Sequence, residues 1–453
     1  MYIVVIGCGK VGQILTNYLA GEEHDVVVID INQDKIEDAV HQYDVLGVCG
    51  NGANYDVLVE AGVAKADVVI SVTASDELNI LAGLMAKTMG AKHLIARVRN
   101  PDYLKQREFF RDQLGFSMII NPEAAAANEI RRMIMFPSAM KVDTFAKGKV
   151  ELIEIKLQKG NRAIGTKLLD LRRITRSSIL ICAVSRNEDI IIPSGDFVLE
   201  ENDHIYVTGS HRDLSMFCLD IGVYKDKIKN VIIVGGSRIA YYLARQLSVQ
   251  GIKVKIIEQN HQRCIDLAQR FPYATIIEGD GSDEEILLEE GVANTDALVC
   301  LTGLDEENII LSMAAKHLGV KKAIAKINRT SLAAMIDKMG VDNIVSPKTI
   351  VASQMIGYLR AKSSDDENSS VQTLYKLVND QVEALEFVVT SKFKYISKRL
   401  MDMKLKDNIL VAGISRGNEM IVPKGHDTLE LNDHIIIIAK SSKIKNLNDI
   451  IGE

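Results

Sequence analysis

The chain has 453 residues, 47% of them hydrophobic, a length that excludes one ordinary core and predicts several domains. A net charge of −6 argues against a nucleic-acid-binding surface, and the Arg131-Arg132 and Lys225 to Lys229 clusters read as solvated faces. No run approaches 18 apolar residues, so no membrane-spanning helix is expected, and the first residues enter a strand without the pattern of a signal peptide.

A strand is predicted over 2–7 and a helix over 10–20, joined by Gly7-Cys8-Gly9-Lys10-Val11-Gly12. A strand ending at Asp30 follows. Then come a helix over 33–42, a strand over 44–49, a helix over 54–62, a strand over 67–72, a helix over 77–89 and a strand over 93–98. Short β-branched runs alternating with helix-length periodic stretches predict a parallel sheet covered by helices on both faces. Gly21, Gly62 and Gly90 stand where helices should stop. Pro122 to Met135 reads as a helix with Pro in its first turn, leading into a smaller, strand-rich unit.

The second half repeats the first. Gly7 recurs as Gly235 and Asp30 as Glu258, both 228 positions on, and Thr73, Asp76 and Asn79 recur as Thr302, Asp305 and Asn308, 229 positions on. In the small units, Ser185-Arg186 recurs as Ser415-Arg416, and Asn202-Asp203-His204 as Asn432-Asp433-His434. Pro347 to Leu359 repeats the linking helix, and 361–370 reads as a flexible segment. The expected class is α/β: two Rossmann-like parallel-sheet domains (1–123 and 229–348), each followed by a small α+β domain (140–225 and 371–453). The six cysteines form no CxxC pair and read as buried free thiols in a reducing compartment.

The glycine motif follows a predicted strand, opens a predicted helix and has an acid at the end of the next strand, which is the context of a dinucleotide pocket. Gly7 permits the turn, Gly9 leaves room for a pyrophosphate, and Gly12 lets helix and strand approach. The first-turn N–H groups of the helix favour phosphate. Asp30 is placed to accept from a ribose 2′-hydroxyl and to repel a 2′-phosphate, so NAD(H) is expected over NADP. Thr73-Ala74 ends the fourth strand, on the ligand side of such sheets. Asp76 reads better as a helix cap than as a ligand group. Lys10 and Arg97 suit either phosphate or a surface ion pair. In the second copy Gly235 is kept, Ser237 and Ala240 replace the other glycines, Glu258 keeps the acid and Arg238 keeps a cation. That loop is altered rather than erased, and reads either as a site for another nucleotide such as ATP or ADP or as empty. His204 and His434 read as structural, and no metal-ligating or nucleophilic motif is present.

Two glycine-loop units, each followed by a small domain with Ser-Arg and Asn-Asp-His elements, resemble the RCK (regulator of potassium conductance) family over essentially the whole chain. That resemblance implies a non-enzymatic regulator peripheral to the cytoplasmic face of the inner membrane. It implies a homotetramer forming a ring of eight units beneath a membrane-embedded potassium-translocating subunit of the TrkH or TrkG type. NAD(H) is implied at Gly7, Gly9, Gly12 and Asp30, with Thr73 and Arg97 as further contacts, and ATP or ADP as other ligand classes. The competing readings are an NAD-dependent oxidoreductase and an RCK regulator of another ion transporter.

Overall fold

A computed structural model describes residues 1–452 other than 23, 188, 224–226, 330–342, 364–372, 378–380, 418, 441–443 and 445. The first half opens with β1 (Tyr2–Ile6), α1 (Lys10–Gly21), β2 (Asp25–Asp30), α2 (Gln33–Tyr43), β3 (Leu46–Cys49), α3 (Tyr55–Glu60), β4 (Val68–Ser71), α4 (Asp76–Met89) and β5 (His93–Arg97). It continues through α5 (Pro101–Leu104), α6 (Arg107–Asp112), β6 (Met118–Ile120) and α7 (Pro122–Met135). The six strands form one parallel sheet in the order β3-β2-β1-β4-β5-β6. Its central strands are apolar on both faces because helices cover both. The chain order reverses between β1 and β4, and the crevice at that switch point is where ligands enter such sheets. β3 starts later than 44 because Asp44 takes the left-handed conformation (φ 51°) that ends α2.

The first small domain follows as β7 (Lys141–Phe145), β8 (Val150–Lys156), β9 (Ile179–Arg186), β10 (Asp189–Ile191), β11 (His204–Gly209) and α8 (His211–Ile221). Its antiparallel sheet runs β10-β9-β11-β8-β7. The second large domain comprises β12 (Asn230–Val234), α9 (Arg238–Val249), β13 (Lys253–Glu258), α10 (His261–Arg270), β14 (Thr275–Glu278), α11 (Glu284–Glu289), β15 (Ala297–Cys300), α12 (Asp305–His317), β16 (Lys322–Lys326) and β17 (Ile344–Val345). Its order, β14-β13-β12-β15-β16-β17, repeats the first sheet. After α13 (Pro347–Ser363) come β18 (Thr373–Leu377), β19 (Val382–Val388), β20 (Ile409–Arg416), β21 (Glu419–Ile421) and β22 (His434–Lys440), again antiparallel, in the order β18-β19-β22-β20-β21.

The motifs shared by the small domains are structural. Arg186 is paired with the fully buried Asp203 (Nε to Oδ1, 2.7 Å), and Arg416 with Asp433 (Nη2 to Oδ2, 2.8 Å). His204 and His434 meet strand carboxylates, Glu154 at 2.8 Å and Glu386 at 2.6 Å. Asn202 and Asn432 precede them in left-handed turns (φ 68° and 69°), a conformation asparagine tolerates.

The linking helices cross over. Ala126, Ala127, Ile130, Met133 and Ile134 of α7 pack on Ile239, Leu243 and Leu247 of α9, in the other half of the chain. In return, Val351, Ala352, Met355, Ile356 and Leu359 of α13 pack on Val11, Leu15 and Leu19 of α1. The two small sheets share a core, with Phe145, Leu152 and Tyr206 of one against Ala384, Ile436 and Ile438 of the other. Each half therefore completes the other.

Three expectations need correcting. Cys49 lies in a strand but is exposed, because β3 is an edge strand; the other five thiols are buried. Residues 361–363 finish α13 instead of opening a flexible segment, and 364–370 lie outside the described residues. Arg131 and Arg132 are partly buried rather than solvated, with Arg132 ion-paired to Glu129.

Candidate functional site

The glycine loop between β1 and α1 is built by close approach. Gly7 sits at φ +108°, and a Cβ there would stand 3.0 Å from the Thr73 nitrogen. A Cβ on Gly12 would fall 1.9 Å from the Gly7 carbonyl oxygen, so only glycine lets α1 start this near β1. Gly9 is different: a Cβ there would meet nothing within 4 Å, because the loop faces open space. Gly9 is also the N-cap of α1 and offers no capping side chain. The Asp30 carboxylate at the end of β2 braces the loop, accepting from Cys8 N (2.7 Å) and Asn32 N (3.0 Å). Cys8 is buried, and desolvation with the Asp30 charge pushes its thiol up to about 12.

Beside the loop, the fully buried Asn79 ties the ends of β4 and β5 together. Its carbonyl oxygen accepts from Thr73 N (2.8 Å) and Thr73 Oγ1 (2.7 Å), and its amide donates to the Arg97 carbonyl (2.9 Å). The Thr73 donors are thus engaged within the protein, leaving the hydroxyl oxygen as an acceptor. The Arg97 guanidinium donates to the Thr73 carbonyl, and its Nε is buried without a partner among the described residues. Burial, followed by the neighbouring Arg99, lowers the Arg97 pKa. Asp76 is not the helix cap: Ser75 caps α4, accepting from Leu78 N, while Asp76 holds the chain after β5 through Arg99 N (2.9 Å) and Asn100 N (2.8 Å).

These groups open on a cavity of about 920 Å³. Gly7, Gly9, Lys10, Val11, Asp30, Thr73, Ala74 and Arg97 line it; Cys8 and Gly12 lie within the same loop but outside the lining. The far wall comes from the second large domain and α13, through Ser237, Arg238, Lys326, Asn328 and Lys348. Arg238 therefore belongs to the first cavity, because α9 is carried there by its packing on α7. Gly235 and Glu258 do not line it. In their own loop, Glu258 accepts from Gly236 N (2.7 Å), Ser237 caps α9, and Arg263 Nε donates to the Gly236 carbonyl (2.7 Å).

Lys10, Lys35, Arg97, Arg99, Arg238, Lys326 and Lys348 surround the space, against the carboxylates of Asp30 and Glu123. Burial raises the Glu123 pKa despite Arg99, Arg238 and Arg97 nearby, and one of its oxygens is buried without a partner among the described residues. Burial lowers Lys326, and burial together with the Lys10 charge brings Lys348 down to about 8. Such a site suits a polyanion with polar hydroxyls. Arg99, Glu123, Lys326 and Lys348 went unnoticed in the sequence, although two left a signal. Lys326 is the repeat of Arg97, 229 positions on, and Lys348 follows Pro347 as Glu123 follows Pro122. Among the described residues, no three His, Cys, Asp or Glu side chains gather as metal ligands.

The sequence model of the TrkA-N domain matches residues 3–122 and 231–347, and that of the TrkA-C domain matches 152–222 and 384–452. The chain is 34% identical to a Trk system potassium uptake protein TrkA homolog of Archaeoglobus fulgidus, covering 99% of this chain and 100% of the relative. It is 30% identical to the Trk system potassium uptake protein TrkA of Vibrio alginolyticus, covering 98% and 96%. Among solved structures, the GsuK RCK domain matches with a TM-score of 0.63 at 19% identity, covering 97% of this chain and 92% of that one. The GsuK channel bound to NAD matches at 0.63 and 18%, covering 97% and 77%. The repeated glycine-loop sheets, the small domains behind them and these full-length likenesses make the chain a member of the TrkA family, with tandem TrkA-N and TrkA-C domains.

Proposed function

We propose that this chain is the nucleotide-sensing regulatory subunit of a potassium uptake system and has no catalytic role. The observation that carries the reading is the cavity itself, with a glycine loop from one half and cations from the other closing on one space. Its relatives are named potassium uptake proteins, and the matched GsuK channel is described with NAD and, in another structure, with ADP. The adenosine ribose hydroxyls would donate to Asp30, and the phosphates would meet the α1 N-terminus and the cations of both halves. Gly235 and Glu258, outside this cavity, would take no part.

A ligand in this space neutralises charge that otherwise pushes the two halves apart, so it favours a closed arrangement over an open one. It shifts the balance only by its difference in affinity for the two. A tenfold preference is about 1.4 kcal/mol per site, and four sites acting together in a tetrameric ring supply about 5–6 kcal/mol. That is enough to move a gate in a membrane-embedded potassium-translocating subunit on the cytoplasmic side. Among the described residues no helix is long and apolar enough to cross a membrane, so the pore would belong to that partner.

The test is calorimetric titration of the chain with NADH, NAD, ATP and ADP, repeated with Asp30→Ala. Saturable binding near one per chain that weakens in the variant supports the reading. A folded chain that binds none of the four refutes it.

A further inference from the structure

Helices α1 and α13 pack side by side and begin at the same cavity, Lys10 being the first residue of one and Lys348 the second of the other. A lysine in the first turn of a helix opposes the positive end of the helix dipole. Here two such lysines face each other. The crossover helix of the first half avoids the conflict by carrying Glu123 where α13 carries Lys348. The groups around Lys348 do not relieve it. Lys10 comes from α1 and Lys326 from β16; Arg238 of α9 and Glu123 of α7 line the same cavity, and Asp305 of α12 is the acid acting on it most directly. Among the described residues, the Lys348 ammonium has one neutral acceptor, the Asn328 carbonyl at 2.9 Å. Local electrostatic conflicts of this kind concentrate at functional or strained sites.

We infer that Lys348 is a ligand-sensing residue: the phosphate chain of the bound nucleotide lies between Lys10 and Lys348 and holds the heads of α1 and α13 together. The inference rests on the nucleotide reading of the cavity. It makes α13, and with it the second small domain, responsive to phosphate in a pocket whose glycine loop belongs to the first half.

The proton balance makes it testable. Without ligand, burial and the Lys10 charge hold Lys348 near 8, so it loses its proton as the pH rises through that value. A phosphate anion beside it restores the proton. Binding therefore takes up protons above pH 8, and affinity is highest below pH 8 and falls as pH rises toward the ordinary lysine range. Between pH 7.5 and 9 the fall is about eightfold if the bound form stays protonated. The NADH pyrophosphate does not titrate over this interval.

The experiment is calorimetric titration of the full chain with NADH and, separately, ATP at pH 7.5 and 9.0, in two buffers of different ionisation enthalpy. Wild type is expected to lose affinity about eightfold with net proton uptake for at least one of the two ligands. Lys348→Arg, which stays charged, keeps the affinity at pH 7.5 and loses the pH dependence. Lys348→Met binds about tenfold more weakly at pH 7.5, also without pH dependence. The arginine variant guards against a folding defect, since a merely structural lysine would not give this pattern. Wild-type binding without proton uptake, or an unchanged pH slope in either variant, overturns the inference alone. Absence of binding to NADH and ATP overturns this inference, and absence of binding to NAD and ADP as well overturns the nucleotide reading.

Discussion

Gly9 and Gly12 are both glycines of one motif, yet they do different work, and substitution separates them. A methyl on Gly12 meets the Gly7 carbonyl at 1.9 Å, a backbone atom that can yield only if α1 moves. Gly12→Ala is expected to cost about 1–3 kcal/mol of stability and to abolish ligand binding with it. A methyl on Gly9 meets nothing in the protein, so Gly9→Ala should keep the wild-type melting temperature while weakening nucleotide affinity. Paired thermal unfolding and calorimetry on the two variants checks this, and equal melting losses would contradict it. The thiols divide in the same way. Burial pushes Cys182, Cys218 and Cys300 up to about 12, and Cys8 likewise, whereas Cys49 stands exposed on an edge strand. A maleimide at neutral pH should label one cysteine per chain quickly, and Cys49→Ser should remove that label. The roles of Gly7 and Gly12 could be read in the sequence because a glycine motif after a strand has few physical meanings. The exposure of Cys49 could not, because an edge strand and a central strand have the same apolar look until the sheet order is known.

At the scale of elements, the two crossover helices are alike in position and unlike in chemistry. The last turn of α13 carries Arg360, which lies against Glu22 at the end of α1 (Nε to Oε1, 2.7 Å) and Glu383 on β19 (Nη1 to Oε1, 2.8 Å), and also bonds the Tyr18 hydroxyl. α1 and α13 thus share the cavity at one end and an ion-pair cluster at the other, and that cluster also touches the second small domain. Glu22 and Glu383 raise the Arg360 pKa against the effect of burial, so the guanidinium is charged at every working pH. Met135 occupies the matching place on α7, so this fastening has no copy there. Arg360→Met leaves two carboxylates facing each other partly out of water, at a cost of about 3 kcal/mol. Hydrogen exchange should then accelerate in the last turns of α13 and in β19 but not in α7; uniform acceleration, or none, would argue against the fastening. The strands and helices themselves were legible from periodicity and from their bounding glycines. The fastening was not, because Tyr18 and Glu22 lie near the start of the sequence and Arg360 and Glu383 near its end, with no motif to link them.

At the scale of the molecule, the duplication supplies one intact and one altered glycine loop, and the fold assembles a large cavity from parts of both halves. In sequence, Arg238 belongs to the second glycine loop. Packing of α9 on α7 brings it to the wall opposite the first loop, whereas Gly235 and Glu258 stay behind with Arg263 lying over the Gly236 carbonyl. Pairing of the two halves is a matter of which helix faces bury each other, and a linear repeat gives no sign of it. The consequence can be measured. Arg238→Gln removes a charge-assisted contact worth about 1.5–3 kcal/mol, so affinity for ATP should fall roughly 10- to 100-fold although the residue lies outside the half that carries the intact loop. Glu258→Gln, which alters only the second loop, should leave both affinity and a stoichiometry near one per chain unchanged. The reverse pattern, with Glu258→Gln abolishing a second binding event and Arg238→Gln silent, would mean that each loop serves a pocket of its own. In the expected case one nucleotide bridges the two halves, and the lost affinity of Arg238→Gln should shrink as salt rises, since part of it is long-range attraction between a polyanion and a strongly cationic space.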